Sequence, residues 1–280
     1  DKVIDVLEKI KNDGLINTLE SVKSKLDQPI SLGYSNVGII QKVGKNVSGF
    51  KVGDRVVSNT PHAELVCASK NLVALIPDNV DDESACFTVI ASIGLQGIRL
   101  ADPKFGESVV VIGLGLIGIL TAQMLKANGC NVIGIDPIKS KRDLAESLGI
   151  KTYFSEKKKD ILNWVNTHTN QIGADAVLIT ASTSSNQPIH TAAEISRKRG
   201  RIILVGVTGI NIRRDLFYKK ELTFQVSCSY GPGRYDNSYE KDGEDYPIGF
   251  VRWTEKRNFE AVLEALSKKS VVTEKLITNK

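Results

Sequence analysis

Residues 107–118, ESVVVIGLGLIG, constrain this chain more than any other stretch. Val109, Val110, Val111 and Ile112 are all β-branched, which suits a parallel strand covered on both faces. A tight glycine turn follows. Gly113 permits the sharp bend, Gly115 has no Cβ to keep a pyrophosphate from the backbone, and Gly118 lets the next helix lie close to the strand. That helix would begin near Leu116 and Ile117, offering free N–H groups and partial positive charge to a phosphate. Its body runs on through Leu120, Ala122, Met124 and Leu125. A second β-branched strand, residues 132–135, ends at Asp136. This carboxylate lies about 20 residues beyond the glycines, where the ribose hydroxyls of a dinucleotide would sit. A glycine-rich turn in a domain that binds nothing would not explain the whole strand–turn–helix–strand–acid unit.

The alternation continues. Helical patterns are expected over 144–148, 160–167 and 188–197, with strands over 151–154, 174–180, 201–207 and 222–227. Such alternation with right-handed crossovers makes an open parallel sheet, and ligands bind at its carboxyl ends. Those ends carry Thr180, Ala181, Val205, Gly206 and Val207 beside the glycine turn and Asp136. An aromatic, glycine-rich loop, residues 229–235, comes after the last strand. A helix over 258–266 and an extended stretch over 271–278 follow it.

The first third differs. Residues 1–29 show two helical stripes, Val3, Leu7 and Ile10, then Leu15, Leu19, Val22 and Leu26. Short strands with glycine turns fill 37–57, another strand is expected at 64–66, and together they suggest a small β-barrel-like unit. Asp54 follows Gly53 in a turn and is placed to cap it locally. Residues 82–101 read as one helix.

Composition excludes several classes. Of the 280 residues, 41% are hydrophobic and 25% charged, the balance of a soluble globular protein. No apolar run reaches the roughly 20 residues that span a bilayer, so no membrane role is expected. The net charge of +5 is dispersed apart from Lys157, Lys158 and Lys159, which read as a solvated helix start and not a nucleic-acid patch. Cys67, Cys86, Cys130 and Cys228 are widely separated and read as reduced, mostly buried thiols of a cytoplasmic protein.

Several motifs in order, GIIQKVG from Gly38, FKVGDRV from Phe50, HAELV from His62, LIP from Leu75 and the glycine turn, resemble the medium-chain dehydrogenase/reductase family. The resemblance covers most of residues 30–280. The loop CSYGPGRY from Cys228 is similar to a bacterial subgroup in which this unit is fused to a second oxidoreductase domain, often linked with surface-polysaccharide synthesis. The resemblance implies a Rossmann domain with a doubly wound parallel sheet, plus a partial GroES-like β domain carrying the N-terminal helices. The expected division is 1–95 for the catalytic part, 96–269 for the Rossmann domain and 270–280 for the start of the return. It also implies family strands before residue 1 and after Lys280, so the chain is expected to be cut at both ends. A homodimer through the last Rossmann strand is expected.

Zinc-dependent members carry Gly-His-Glu where this chain has Gly33, Tyr34 and Ser35, and the later ligand falls near Thr88. Hydroxyls are poor zinc ligands beside imidazole, carboxylate or thiolate. Only four residues separate Val57 from His62, too few for a four-cysteine lobe. The expectation is therefore no zinc. Hydrogen-bond donors would then stabilise charge on the substrate oxygen, and the resemblance offers Tyr34, Ser35, His62 and Thr88 for that work. A packed Tyr34 and a His62 serving only its turn remain open. Asp136 favours NAD over NADP by repelling a 2′-phosphate. Lys141 matches a family position near the ribose, or is a solvent-facing helix lysine. The reading is a zinc-independent NAD(H) oxidoreductase acting on a small or sugar-linked carbonyl or alcohol, or on an activated alkene. The alternative is an inactive dinucleotide-binding module with an assembly or regulatory role.

Overall fold

The computed structural model describes residues 32–279, so both helical stripes of residues 1–29 lie outside the described residues. Short apolar runs separated by glycine turns make an antiparallel sheet of β1 (Asn36–Ile39), β2 (Arg55–Ser58) and β3 (Val73–Leu75), in that order. Among the described residues this is a three-stranded sheet, not a closed barrel. Residues 43–53 are turns instead of strand. Lys51 donates its N–H to the Asp54 carboxylate (2.8 Å), as the turn reading expected. The strand expected at 64–66 is also absent. Pro61 lacks a donor and the Leu32 carbonyl takes the His62 N–H (2.7 Å), so the chain leaves the ladder there and runs exposed.

The helix expected over 82–101 is two helices, α1 (Asp82–Ala85) and α2 (Thr88–Ala101). The Asp81 carboxylate caps α1 at the Ser84 N–H (2.7 Å). The Phe87 N–H then bonds back only three residues, to Ser84 (3.1 Å), and this tighter turn ends the first helix.

The second sheet is parallel, with β4 (Ser108–Ile112), β5 (Asn131–Ile135), β6 (Lys151–Tyr153), β7 (Ala174–Ile179), β8 (Ser196–Leu204) and β9 (Thr223–Val226). Their spatial order is β6-β5-β4-β7-β8-β9. The chain therefore winds outward from β4 in one direction and from β7 in the other. The crevice between them is the switch point where such sheets bind ligands. Helices α3 (Leu116–Ala127), α4 (Lys139–Ser147), α5 (Lys158–His168), α6 (Gln187–Ile195) and α7 (Arg214–Lys220) connect the strands. A short α8 (Asn237–Glu240) and α9 (Glu255–Ser267) complete the chain.

Both faces of β4 are covered. Val109 and Val111 join the core that includes residues of α2, α3 and α9, whereas Val110 and Ile112 join the one under α5 and α6. Each such side chain contributes on the order of 1.5–3 kcal/mol by leaving water. Three expectations need correction. Helix α6 ends at Ile195, because β8 begins at Ser196, whose hydroxyl turns back to the Ala192 carbonyl (2.7 Å). Residues 274–276 form a 3-10 turn in the stretch expected to be extended. Of the cysteines only Cys130 is buried; Cys67, Cys86 and Cys228 are exposed, since all three lie outside the strand and helix faces that build the cores.

The close approach of α3 to β4 depends on Gly118. A Cβ there would overlap the Gly113 carbonyl oxygen and come within 2.8 Å of the Thr180 hydroxyl. Backbone cannot yield as a flexible side chain can. Gly118→Ala is expected to lower unfolding stability by about 2–3 kcal/mol, read from urea denaturation.

Candidate dinucleotide-binding cleft

At the carboxyl end of β4 the three glycines do three different things. Gly113 sits at φ +97°, donates its N–H to the Ile135 carbonyl (2.8 Å), and would place a Cβ 2.6 Å from the Ala181 nitrogen. Gly118 is held by the clash just described. Gly115 is different. It is the N-cap of α3 with φ −68° and ψ −172°, a conformation open to any residue, and a Cβ there meets nothing within 4 Å. Neither backbone strain nor a neighbour among the described residues calls for glycine at 115. Space lies open in front of it, where the first N–H groups of α3 lack intrahelical partners.

Asp136 braces this loop. Its Oδ2 accepts the Leu114 N–H (2.7 Å) and its Oδ1 accepts the Ile138 N–H (2.8 Å). The residue is only 3% exposed. Sequence reasoning placed Asp136 beside the loop but missed that both oxygens already take backbone donors. Arg142, legible in the sequence as a cation just beyond Asp136 that could soften exclusion of a 2′-phosphate, instead donates its guanidinium to the carbonyls of Asp136 (2.6 Å) and Pro137 (2.9 Å) and pins the chain after β5. It lies six residues past the acid, in the first turn of α4. Lys141 lies on the same helix, partly exposed. The opposite wall comes from β7 and β8. The Thr180 hydroxyl donates to the Gly113 carbonyl (2.6 Å), Val207 donates to the Ala181 carbonyl (3.0 Å), and Val205 and Gly206 both donate to Ile179. Thus Gly113–Gly118, Asp136, Thr180, Ala181 and the turn 205–207 come together at one end of the sheet. Ion pairs gather at the other end, with Arg201 on Glu107 and Arg197 on Asp175 (2.5 Å).

The antiparallel side contributes a second group. The His62 ring lies over Gly33, which stands at φ +76°, so a Cβ at 33 would strike the imidazole. The Ser35 hydroxyl donates to the Cys86 carbonyl (2.6 Å), bringing residues 33–35 beside the start of α2. There Thr88 is wholly buried, and its hydroxyl has no hydrogen-bond partner. Tyr34 is 50% exposed. Partial desolvation of the sulfur, reinforced by Asp82, Glu83 and Asp81, raises the Cys86 thiol above its ordinary range, although the residue as a whole is exposed. Among the described residues no three of His, Cys, Asp and Glu converge as a metal site requires. The donor set around Tyr34, Ser35 and Thr88 does not fit a catalytic zinc.

Two family models match this chain. The alcohol dehydrogenase GroES-like domain matches residues 7–99, and the zinc-binding dehydrogenase domain matches residues 117–242. The chain belongs to the medium-chain dehydrogenase/reductase family of enzymes. It is 29% identical over 252 residues to an alcohol dehydrogenase of Geobacillus stearothermophilus, covering 76% of this chain and 73% of that one. It is 28% identical to D-guloside 3-dehydrogenase of Escherichia coli, over 84% of this chain and 65% of the relative. The fold is shared with the crystal structure of galactitol-1-phosphate dehydrogenase from Escherichia coli, with a TM-score of 0.73 and 21% identity over 88% of this chain and 75% of that one.

Asp136→Ala removes the acceptor of two backbone donors, Leu114 and Ile138. Charge-assisted bonds of this kind are worth about 1.5–3 kcal/mol each. The variant is expected to unfold with a stability loss of about 3 kcal/mol in a denaturant titration, with faster amide exchange at Leu114 and Ile138.

Proposed function

We propose that the chain is the core of a zinc-independent NAD(H) oxidoreductase. It would transfer hydride between the nicotinamide and a small or sugar-linked alcohol or carbonyl, an activated alkene being the remaining option. The observation that carries the reading is Gly115, a glycine that no contact among the described residues requires, facing open space at the start of α3. A diphosphate approaching the backbone would require it.

When bound, the nicotinamide supplies the hydride donor or acceptor. The chain's own residues do the rest. Leu116 and Ile117 would turn their N–H groups toward the diphosphate. Each Asp136 oxygen keeps a second lone pair for a ribose hydroxyl, and its charge disfavours a 2′-phosphate. Lys141 would border that ribose. Thr180, Ala181, Val205, Gly206 and Val207 would wall the crevice. The half-exposed Tyr34 hydroxyl would donate to a substrate oxygen, and the unpartnered, wholly buried Thr88 hydroxyl would do so once substrate reaches it. Ser35 would stand beside them with its proton on the Cys86 carbonyl. The exposed His62 imidazole would exchange the proton with water. The sugar-related relatives support a polyol or glycoside substrate. A role in surface-polysaccharide metabolism and a second fused domain belong to the same reading. So does a homodimer along β9, an edge strand with Val226 half exposed.

Gly115→Ala is expected to melt like the parent chain and to weaken NADH binding at least tenfold in a fluorescence titration. Equal affinity in parent and variant would refute the assigned loop. For the full-length enzyme, prolonged dialysis against a chelator is expected to leave the turnover rate unchanged, and added zinc is expected not to raise it.

A further inference from the structure

Residues 228–258 join the two sheets. The Asn59 amide, just past β2, donates to the Tyr230 hydroxyl (2.8 Å). The Asn71 amide donates to the carbonyls of Tyr239 (3.0 Å) and Glu244 (3.2 Å), and Lys256 Nζ to that of Lys70 (3.2 Å). Asn258 holds the Tyr230 carbonyl (2.9 Å), and the Glu255 N–H holds that of Pro232 (3.0 Å). These bonds from the antiparallel side converge on one polar strap, and Asn79 adds a separate tie to the Ser267 carbonyl (3.0 Å) at the end of α9.

An unsatisfied ionisable group lies inside that strap. Glu255, in the first turn of α9, is 0% exposed, and neither carboxyl oxygen has a hydrogen-bond partner. The Arg234 Nε is likewise buried without a partner, while the far end of its guanidinium pairs with Glu240 on α8. A buried carboxylate with no donor is costly, so the group stays neutral unless a cation turns to it. The titratable groups facing Glu255 are Glu240 and Tyr239 on α8, and Arg234, Tyr230 and Tyr246 on the loops.

We propose that the strap is a proton-operated latch: neutral Glu255 keeps it packed across the two sheets, and loss of the Glu255 proton to solvent forces Arg234 away from Glu240 and loosens the hold on Asn59 and Asn71. Burial first, then Glu240, pushes the Glu255 carboxyl up to about 8, with Arg234 opposing. The folded chain therefore holds a proton that the unfolded chain releases between the ordinary glutamate range and about pH 8. Stability falls as pH rises through that window. Because Asn59 lies three residues before His62, loosening would reach the antiparallel side of the cleft. This latch does not depend on which cofactor binds.

The test uses the cofactor-free chain carrying Trp164→Phe, which leaves Trp253, two residues before Glu255, as the only tryptophan. Its fluorescence is expected to change with a midpoint near pH 8. Amide protection at residues 56–60 and 71–73 is expected to fall several-fold across the same range. Glu255→Gln is expected to abolish both changes. Glu240→Gln keeps the carboxyl and removes its like-charged neighbour while freeing Arg234, so the midpoint is expected to drop. A flat titration of the parent, an unchanged midpoint in Glu240→Gln, or a transition that survives Glu255→Gln would overturn the latch. None of these outcomes bears on NADH binding at pH 6.

Discussion

The hydrogen bond from the Leu114 N–H to the Asp136 carboxylate holds together the part of the molecule on which everything else is arranged. It ties the turn after β4 to the end of β5. The Thr180 hydroxyl ties the same turn to β7 from the other side. Between these two anchors the backbone has little freedom, so α3 starts at a fixed place with its N–H groups facing outward. A preorganised site of this kind would bind a diphosphate without ordering a loop first, and that would lower the cost of binding.

The two ends of the parallel sheet divide the work. At the amino end Glu107, Asp175, Arg197 and Arg201 satisfy one another and fasten β4, β7 and β8. At the carboxyl end the polar groups are backbone donors, a braced carboxylate and the open face of Gly115. The first arrangement is closed on itself, whereas the second leaves bonding capacity toward solvent. On the antiparallel side, Ser35 bonds the Cys86 carbonyl just before Thr88 at the start of α2, and the His62 ring lies over Gly33. In the proposed function, hydroxyls and an imidazole there would meet charge on a substrate oxygen with hydrogen bonds.

Much of this was legible in the residues. The β-branched run at 109–112 and the spacing of Gly113, Gly115, Gly118 and Asp136 marked the crevice, because strand burial and close backbone approach each admit few residue types. Other features were not legible. Helices α7 and α8 are short and cued by no long apolar stripe. The break at Cys86 and Phe87 depends on a three-residue hydrogen bond that periodicity does not report. The exposure of Cys67, Cys86 and Cys228 depends on what the rest of the chain leaves uncovered.

The sequence by itself determined the winding of the parallel sheet and the chemistry its crevice can offer, since local propensity and glycine geometry act over a few neighbouring residues. Only the tertiary structure decided that both Asp136 oxygens are taken by backbone donors and that Thr88 lacks a partner. It alone placed Glu255 in a strap reaching Asn59 and Asn71. Those facts depend on pairs as far apart in the chain as Asn59 and Tyr230. Desolvation is a property of the assembled surroundings, and no stretch of sequence carries it.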